Sequence, residues 1–340
     1  MARLFDELST IWTRRQPRLD ELFDELTAFV AAGGKRLRPL FCFWGAVGAG
    51  ASDDSPDVID LAAGLELLHA FALIHDDVMD GSDTRRGQPS LHRQFESLHG
   101  EQGWRGQAAG FGTGAAILVG DLLLCWTDAM FHGSGLPADT LARGQPVLDL
   151  MRTEVFAGQY LDLLGQAAGD GTLDSALRVV EFKSAKYTIE RPLQLGAALA
   201  GQVSGEINAA YTAYGLPLGI AFQLRDDVLG VFGDPGRTGK PAGDDLREGK
   251  RTVLLAIARA RASGAQAAAL DAHLGDPLLS EAGMAEVRTV ITETGALARC
   301  ERMISDNLSE ALAAAAAAPI TAEAKAALAE LAVAATTRDG

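Results

Sequence analysis

Cysteine is scarce in this chain. Three residues in 340, Cys42, Cys125 and Cys300, lie far apart and form no CxxC spacing. An odd, dispersed count excludes a disulfide framework and fits a reducing compartment. Basic charge is also short: 30 Lys and Arg stand against 45 Asp and Glu, a net charge of −15. That balance argues against nucleic acid as a partner, because phosphate-backbone binding needs a basic surface. It still permits a few clustered bases around a small anion. No wholly apolar run reaches the roughly 18 residues of a membrane span. The first turns, Met1-Ala2-Arg3-Leu4-Phe5-Asp6-Glu7, lack the apolar core of a signal peptide. The expectation is a soluble, cytoplasmic protein with no membrane span. Strand-like alternation is missing throughout, as is a GxGxxG after a strand. The glycine-rich loop 233–250 contains no GxxxxGK[ST], which excludes the NTPase reading.

What is present is helical periodicity and 48% hydrophobic residues, enough for a sizeable core. Apolar spacing predicts two helices within 3–31, separated at Pro17, then helices over about 39–49, 57–80, 115–130, 138–166, 172–200 and 204–230. A short helix is possible at 90–98 inside a glycine-rich stretch, and a bend is expected near Gly215-Leu216-Pro217. From 251 to 338 the chain reads as Ala/Leu/Glu-rich helix broken near 275–277 and Pro319. The fold class is all-α. No linker divides the chain, so a single domain over 1–340 is expected.

The chemistry gathers at two acidic stretches. In the first, Asp76, Asp77 and Asp80 end an apolar helical run, and Arg85-Arg86-Gly87 follows at once. Asp76 and Asp80 are four residues apart and share a helical face, with His69 on the same stripe seven residues earlier. The preceding turns are too apolar to be solvated all round, so the acidic end should enter a cavity. The second stretch is Phe222-Gln223-Leu224-Arg225-Asp226-Asp227. Lys35 and Arg38 lie just before a helix started by Pro39, whose free N–H groups favour anions. Magnesium takes hard oxygen ligands and is held by a few carboxylates plus substrate phosphates. The lysines and arginines supply charge for one or two diphosphates, and the apolar helix supplies a dry wall. Together they suit metal-assisted ionisation of an allylic diphosphate.

With those residues in order, the chain resembles the trans-isoprenyl diphosphate synthases of the polyprenyl synthetase family. The carrying motifs are Gly33-Gly34-Lys35-Arg36-Leu37-Arg38-Pro39, the DDxxD of Asp76, Asp77 and Asp80 with Arg85-Arg86-Gly87, and Lys183-Ser184. They continue with Phe222 to Asp227, Gly239-Lys240 and Gly249-Lys250. The resemblance implies one large helical bundle around a deep central cavity (the isoprenoid synthase fold) and a homodimer. It implies about three Mg²⁺ per site, bound directly by Asp76 and Asp80 with Asp77 in support, and by Asp226 with Asp227 nearby. It assigns Arg85, Lys183, Gln223 and Lys240 to the allylic diphosphate, with Lys250 close by, and counts Ser184 among the substrate-binding residues. Lys35, Arg38, His69 and Arg86 are assigned to isopentenyl diphosphate.

Three departures stand out. Gly230 replaces a third Asp of the second motif, Ser184 stands where Thr is commoner, and Arg338 is the lone base at the C-terminus. In this family, bulk one to two turns before DDxxD limits product length. Ala72 would not block a growing chain, and Phe71 projects to a different side, although Met130 and Phe131 on a neighbouring helix could cap the cavity. This pattern resembles C20 geranylgeranyl synthases more than C15 farnesyl synthases. A class I terpene cyclase would need a different second acidic motif and no second diphosphate site. A non-catalytic subunit of a heteromeric synthase would be expected to lack the aspartates.

Overall fold

The computed structural model describes residues 16, 19–31, 34–201, 205–233 and 243–337. The helix expected before Pro17, together with Gly33, Gly239, Lys240 and Arg338, lies outside them. The architecture is all-α, as expected, and its contacts gather the chain into two compact units.

The first unit comprises residues 1–40 and 55–137. Its described elements are α1 (Asp20–Ala31), the start of α2 (Leu37–Gly48), α3 (Pro56–Asp80), α4 (Leu91–Glu101) and α5 (Ala108–His132). Ser55 caps α3 in an extended conformation, Pro56 occupies its first turn, and Gly81 at φ 67° ends it. Helix α3 buries residues on every side, including Leu65, Leu68, Phe71 and Ile74. It packs along α5, which α4 covers in turn, and α1 leans in through Phe23 stacked on Trp126. Although no run is wholly apolar, α3 and α5 are both long and apolar enough to cross a membrane by length and composition, a property that core helices of soluble proteins share. Helix α3 is mostly core, whereas α5 exposes much of its apolar window.

A two-residue antiparallel ladder, β1 (Thr84–Arg85) and β2 (Gln88–Pro89), was not expected. Its turn residues Arg86 and Gly87 have φ 55° and 77°. Positive φ at both central positions matches the twist of tight hairpins. The sequence signal was therefore Arg-Gly, where Asn-Gly would have been easier to see.

The second unit comprises residues 41–54 and 138–340. It contains the end of α2, then α6 (Ala138–Ala168), α7 (Leu173–Val179), a π-helical segment (Val180–Glu190), α8 (Arg191–Leu199) and α9 (Gly205–Phe232). It continues with α10 (Asp244–Arg247), α11 (Val253–Arg261), α12 (Gly264–His273), α13 (Glu281–Glu293), α14 (Ala296–Ala317) and α15 (Ala322–Thr336). Helix α9 runs through Gly215 and Pro217 and packs against α14 and the π segment, while α6 packs on the π segment and α8. Leu224, Val228, Leu254, Met284 and Ile291 form its core with Cys300. The helix expected over 172–200 is interrupted by the π segment, a form rare in proteins and frequent at functional sites. The last third breaks more often than expected, because Thr252, Ser263, Ser280 and Thr321 each cap a new helix.

Candidate active site

In the first unit, the acidic end of α3 meets the hairpin. Asp76 and Asp80 are partly exposed, one turn apart, whereas Asp77 turns inward and is buried. The guanidinium of Arg85 donates to Asp77, through Nε at 2.9 Å and through Nη2, and lies 3.8 Å from Asp76. Arg85 thus joins two members of the DDxxD motif. Asp77 is thus paired with Arg85.

Arg86 projects elsewhere, to a cluster around His69. Its Nη2 would lie 3.0 Å from a Cβ at Gly34. It shares a small recess with Arg36, Glu66, His69, Phe29 and Leu73. Burial, then the charges of Arg38, Arg86, Arg85 and Arg36, hold His69 well below its usual range, so the imidazole is neutral. Burial and the neighbouring Arg36 also lower Arg86. Helix α2 begins at Leu37, so Arg38 lies within its first turn and not before it. The Lys35–Arg38 segment carries Arg36 at φ 50°, its guanidinium bonded to Glu66 and, at 2.8 Å, to Val30 O.

The second unit holds the remaining residues. On the π segment, Lys183 Nζ bonds Asp162 Oδ2 of α6 at 2.7 Å, and Ser184 is buried beside it. On α9, Gln223 donates to Asp227 Oδ1 at 2.9 Å, one turn along. Burial raises Asp227 to about 7, aided by Asp245 and Asp226 and opposed by Gln223 and Lys250. Its Oδ2 is buried with no hydrogen-bond partner among the described residues. A Cβ at Gly230 would lie 2.1 Å from Asp245 Oδ2, so the space vacated by the missing third Asp holds the carboxylate of another. Lys250 pairs with Glu248 at 2.7 Å and Asp245 at 3.6 Å.

Phe71 is buried with its ring edge-on to His75 at 4.7 Å, away from the half-buried Ala72. Met130 of α5 reaches α3 at Gly64, where a Cβ would meet its Cβ at 3.3 Å. Gly64 lies eight residues before Ala72, about 12 Å along the helix.

Residues 19–291 match the polyprenyl synthetase family profile. The chain belongs to that family. It is 35% identical over 281 residues to a geranylfarnesyl diphosphate synthase of Aeropyrum pernix, covering 82% of this chain and 81% of that one. It is 36% identical over 236 residues to a geranylgeranyl diphosphate synthase of Mycobacterium tuberculosis, covering 69% and 61%. Among solved structures, it matches a geranylgeranyl pyrophosphate synthase of Corynebacterium glutamicum complexed with isoprenyl diphosphate and magnesium. That match has a TM-score of 0.91 and 42% identity, covering 99% of this chain and 98% of that one.

As a polyprenyl synthetase, the protein is a prenyltransferase of the isoprenoid synthase fold. Among the described residues no group of three Asp, Glu, His or Cys side chains is placed to hold a metal ion by itself. An open arrangement is what magnesium accepts when waters and substrate phosphates complete its shell. The buried, unbonded Oδ2 of Asp227 marks a place where a cation would offset the desolvation of a carboxylate. Four residues with clear roles in these clusters were missed by sequence reasoning: Arg36, Glu66, Asp162 and Asp245. Arg36, Glu66 and Asp162 are bonded to residues distant in sequence, and Asp245 packs against the distant Gly230, which periodicity does not reveal.

Proposed function

We propose that the protein joins isopentenyl diphosphate to allylic diphosphates in a magnesium-dependent condensation, and that its main product is C20 geranylgeranyl diphosphate. The observation that carries this is the divergence of two adjacent arginines. Arg85 serves the carboxylates Asp76 and Asp77, while Arg86 faces the Arg36, Arg38 and His69 cluster. Two anion-binding sets side by side suit two diphosphates; a cyclase, with one, has no use for the second.

In this reading Asp76, Asp80 and Asp226 hold about three Mg²⁺ with Asp77 and Asp227 in support. Magnesium, when bound, neutralises charge developing on the departing diphosphate. Arg85, Lys183, Ser184, Gln223 and Lys240 hold that diphosphate, with Lys250 near. Lys35, Arg38, His69 and Arg86 hold isopentenyl diphosphate, and a neutral His69 donates one ring N–H without adding charge. The allylic C–O bond breaks and the isopentenyl double bond supplies the electron pair for the new C–C bond. A proton leaves to the released diphosphate, giving the elongated diphosphate and inorganic diphosphate.

Product length follows from α3. Ala72 leaves the wall open one turn below Asp76, and Met130 closes on the helix two turns further down. An open wall favours C20 over C15. The resemblance to a geranylfarnesyl synthase makes C25 the competing outcome.

We take both units as parts of one synthase domain that works as a cytoplasmic homodimer. Support for the dimer is the exposure of Ile117 and Leu118 on α5, and of Phe156 and Tyr160 on α6, faces that a second copy would cover. Light scattering should return twice the chain mass.

The deciding test incubates purified protein with labelled isopentenyl diphosphate, Mg²⁺ and C5, C10 or C15 starters, then measures chain length. Elongation to C20 is expected. Failure with every starter overturns the prenyltransferase reading, and a single C15 or C25 product overturns the assigned length.

A further inference from the structure

The segment assigned to isopentenyl diphosphate is itself held in place by a residue outside every motif. Arg36 sits between Lys35 and Arg38 and adopts φ 50°. Non-glycine residues rarely enter this left-handed region, and they stay there only where surrounding contacts hold them. Arg86 is the other non-glycine residue with positive φ among those described, and both line the same recess. Two backbone positions lining one recess are thus held against their intrinsic preference.

The contacts that hold Arg36 are specific. Its Nη1 donates to Glu66 Oε2, and its Nη2 donates to Val30 O at 2.8 Å. Val30 lies in the last turn of α1, where carbonyls lack helical partners, so the guanidinium also closes that helix end. Glu66 lies on α3 and is 4% exposed, one turn before His69. A carboxylate this buried in the middle of an apolar helix is costly unless paired. It faces the cluster in which Arg36, Arg38, Arg85 and Arg86 all act on His69, and its charge opposes theirs at Arg86. One side chain therefore performs two tasks. It fixes the backbone between Lys35 and Arg38, and it steadies a set of like charges when no diphosphate is present.

We infer that Glu66 is a positioning residue for isopentenyl diphosphate, acting through Arg36 to present Lys35 and Arg38 to the diphosphate group. The inference rests on the assignment of that substrate to Lys35, Arg38, His69 and Arg86. In this role Glu66 acts through Arg36, so its effect must appear in the binding of one substrate and spare the chemistry of the other.

The test compares wild type, Glu66→Gln, Glu66→Asp and the double variant Arg36→Met/Glu66→Met. For each, KM is measured separately for isopentenyl and allylic diphosphate, with kcat and the melting temperature. Glu66→Gln should raise KM for isopentenyl diphosphate about tenfold or more while leaving allylic KM and kcat within about twofold. Glu66→Asp, which keeps the carboxylate, should recover part of the loss. The double variant replaces the buried Glu66 carboxylate and its half-buried partner Arg36 by apolar side chains, so no unpaired buried charge is left and the fold should persist even where the single variant loses it. It should show the same selective rise. An unchanged isopentenyl KM in the double variant, or an equal rise for both substrates, overturns the inference. Absence of elongation by the wild type instead overturns the assignment on which it rests, so the two failures are distinguishable.

Discussion

Gly158 is the position at which a single methyl group should be most informative. It lies on α6 against the backbone of the π segment that carries Lys183. An added Cβ would sit 2.4 Å from Lys183 N, 2.8 Å from its Cα and 2.9 Å from Phe182 C. Ordinary contact begins at 3.4 Å. Backbone cannot swing aside as a side-chain tip can, so the two segments must part by about 1 Å to restore ordinary packing density. For stability two effects oppose each other. Alanine gains about 1 kcal/mol over glycine inside a helix, whereas overpacking costs about 1–3 kcal/mol. The net loss of stability is therefore small, about 2 kcal/mol at most. The effect on rate is larger, because Lys183 is held to Asp162 only one turn beyond Gly158. A displacement of this size in a substrate-holding group costs about 100-fold, equal to about 2.7 kcal/mol of transition-state stabilisation. Gly158→Ala should thus lose about 100-fold in kcat/KM while its circular dichroism stays native. Gly114→Ala on α5, where a Cβ meets nothing within 4 Å, is the control and should keep full activity. A Gly158→Ala rate within about threefold of wild type would refute the argument that backbone contact sets the placement of Lys183.

Two further outcomes follow from the first unit. His69 has a folded-state pKa below its unfolded value near 6.5, so as pH falls the unfolded chain takes up a proton that the folded chain refuses. The associated stability is complete above that value and is lost as pH falls below it. NMR should show His69 neutral at pH 6, and His69→Gln should flatten the acid limb of the stability profile; a protonated imidazole at pH 6 would contradict the buried site. Asp77→Ala should remove the close partner of Arg85, whose side chain is 11% exposed beside a carboxylate 1% exposed, and leave it the longer 3.8 Å pairing with Asp76, at a cost of up to about 3 kcal/mol. Urea denaturation measures this, and a loss below about 1 kcal/mol would place the pair in solvent, where ion pairs contribute little.

Helices with long apolar periodicity were legible from the sequence because burial repeats at the helical period. Helix α3, buried on every side, was legible for a different reason: its apolar turns, its proline start and its glycine stop all lie within one segment. The acidic and basic motifs were legible because charge beside an apolar run is itself improbable without a site. The π segment was not, since its residues read as ordinary helix and its form depends on neighbours. Gly158 on one side, and Gly215 and Gly219 on the other, let two helices approach its backbone. The hairpin was hidden because Arg86-Gly87 adopts a geometry more often announced by asparagine.

Gly230 shows why a motif read in isolation misjudges a site. Counted along the helix, it is a lost carboxylate. Counted in space, Asp245 Oδ2 lies where a Cβ at residue 230 would need to be. That carboxylate is drawn toward Lys250 and raises the pKa of Asp227. Restoring an aspartate at 230 would therefore place two carboxylates in one volume and evict one of them. The same logic applies to Arg36 and Glu66: each appears as one more charge along its helix or loop, and their joint role exists only where α1, α2 and α3 meet. Motif order indicates which chemistry is present, and the pairs closed by folding determine which residues hold it in place.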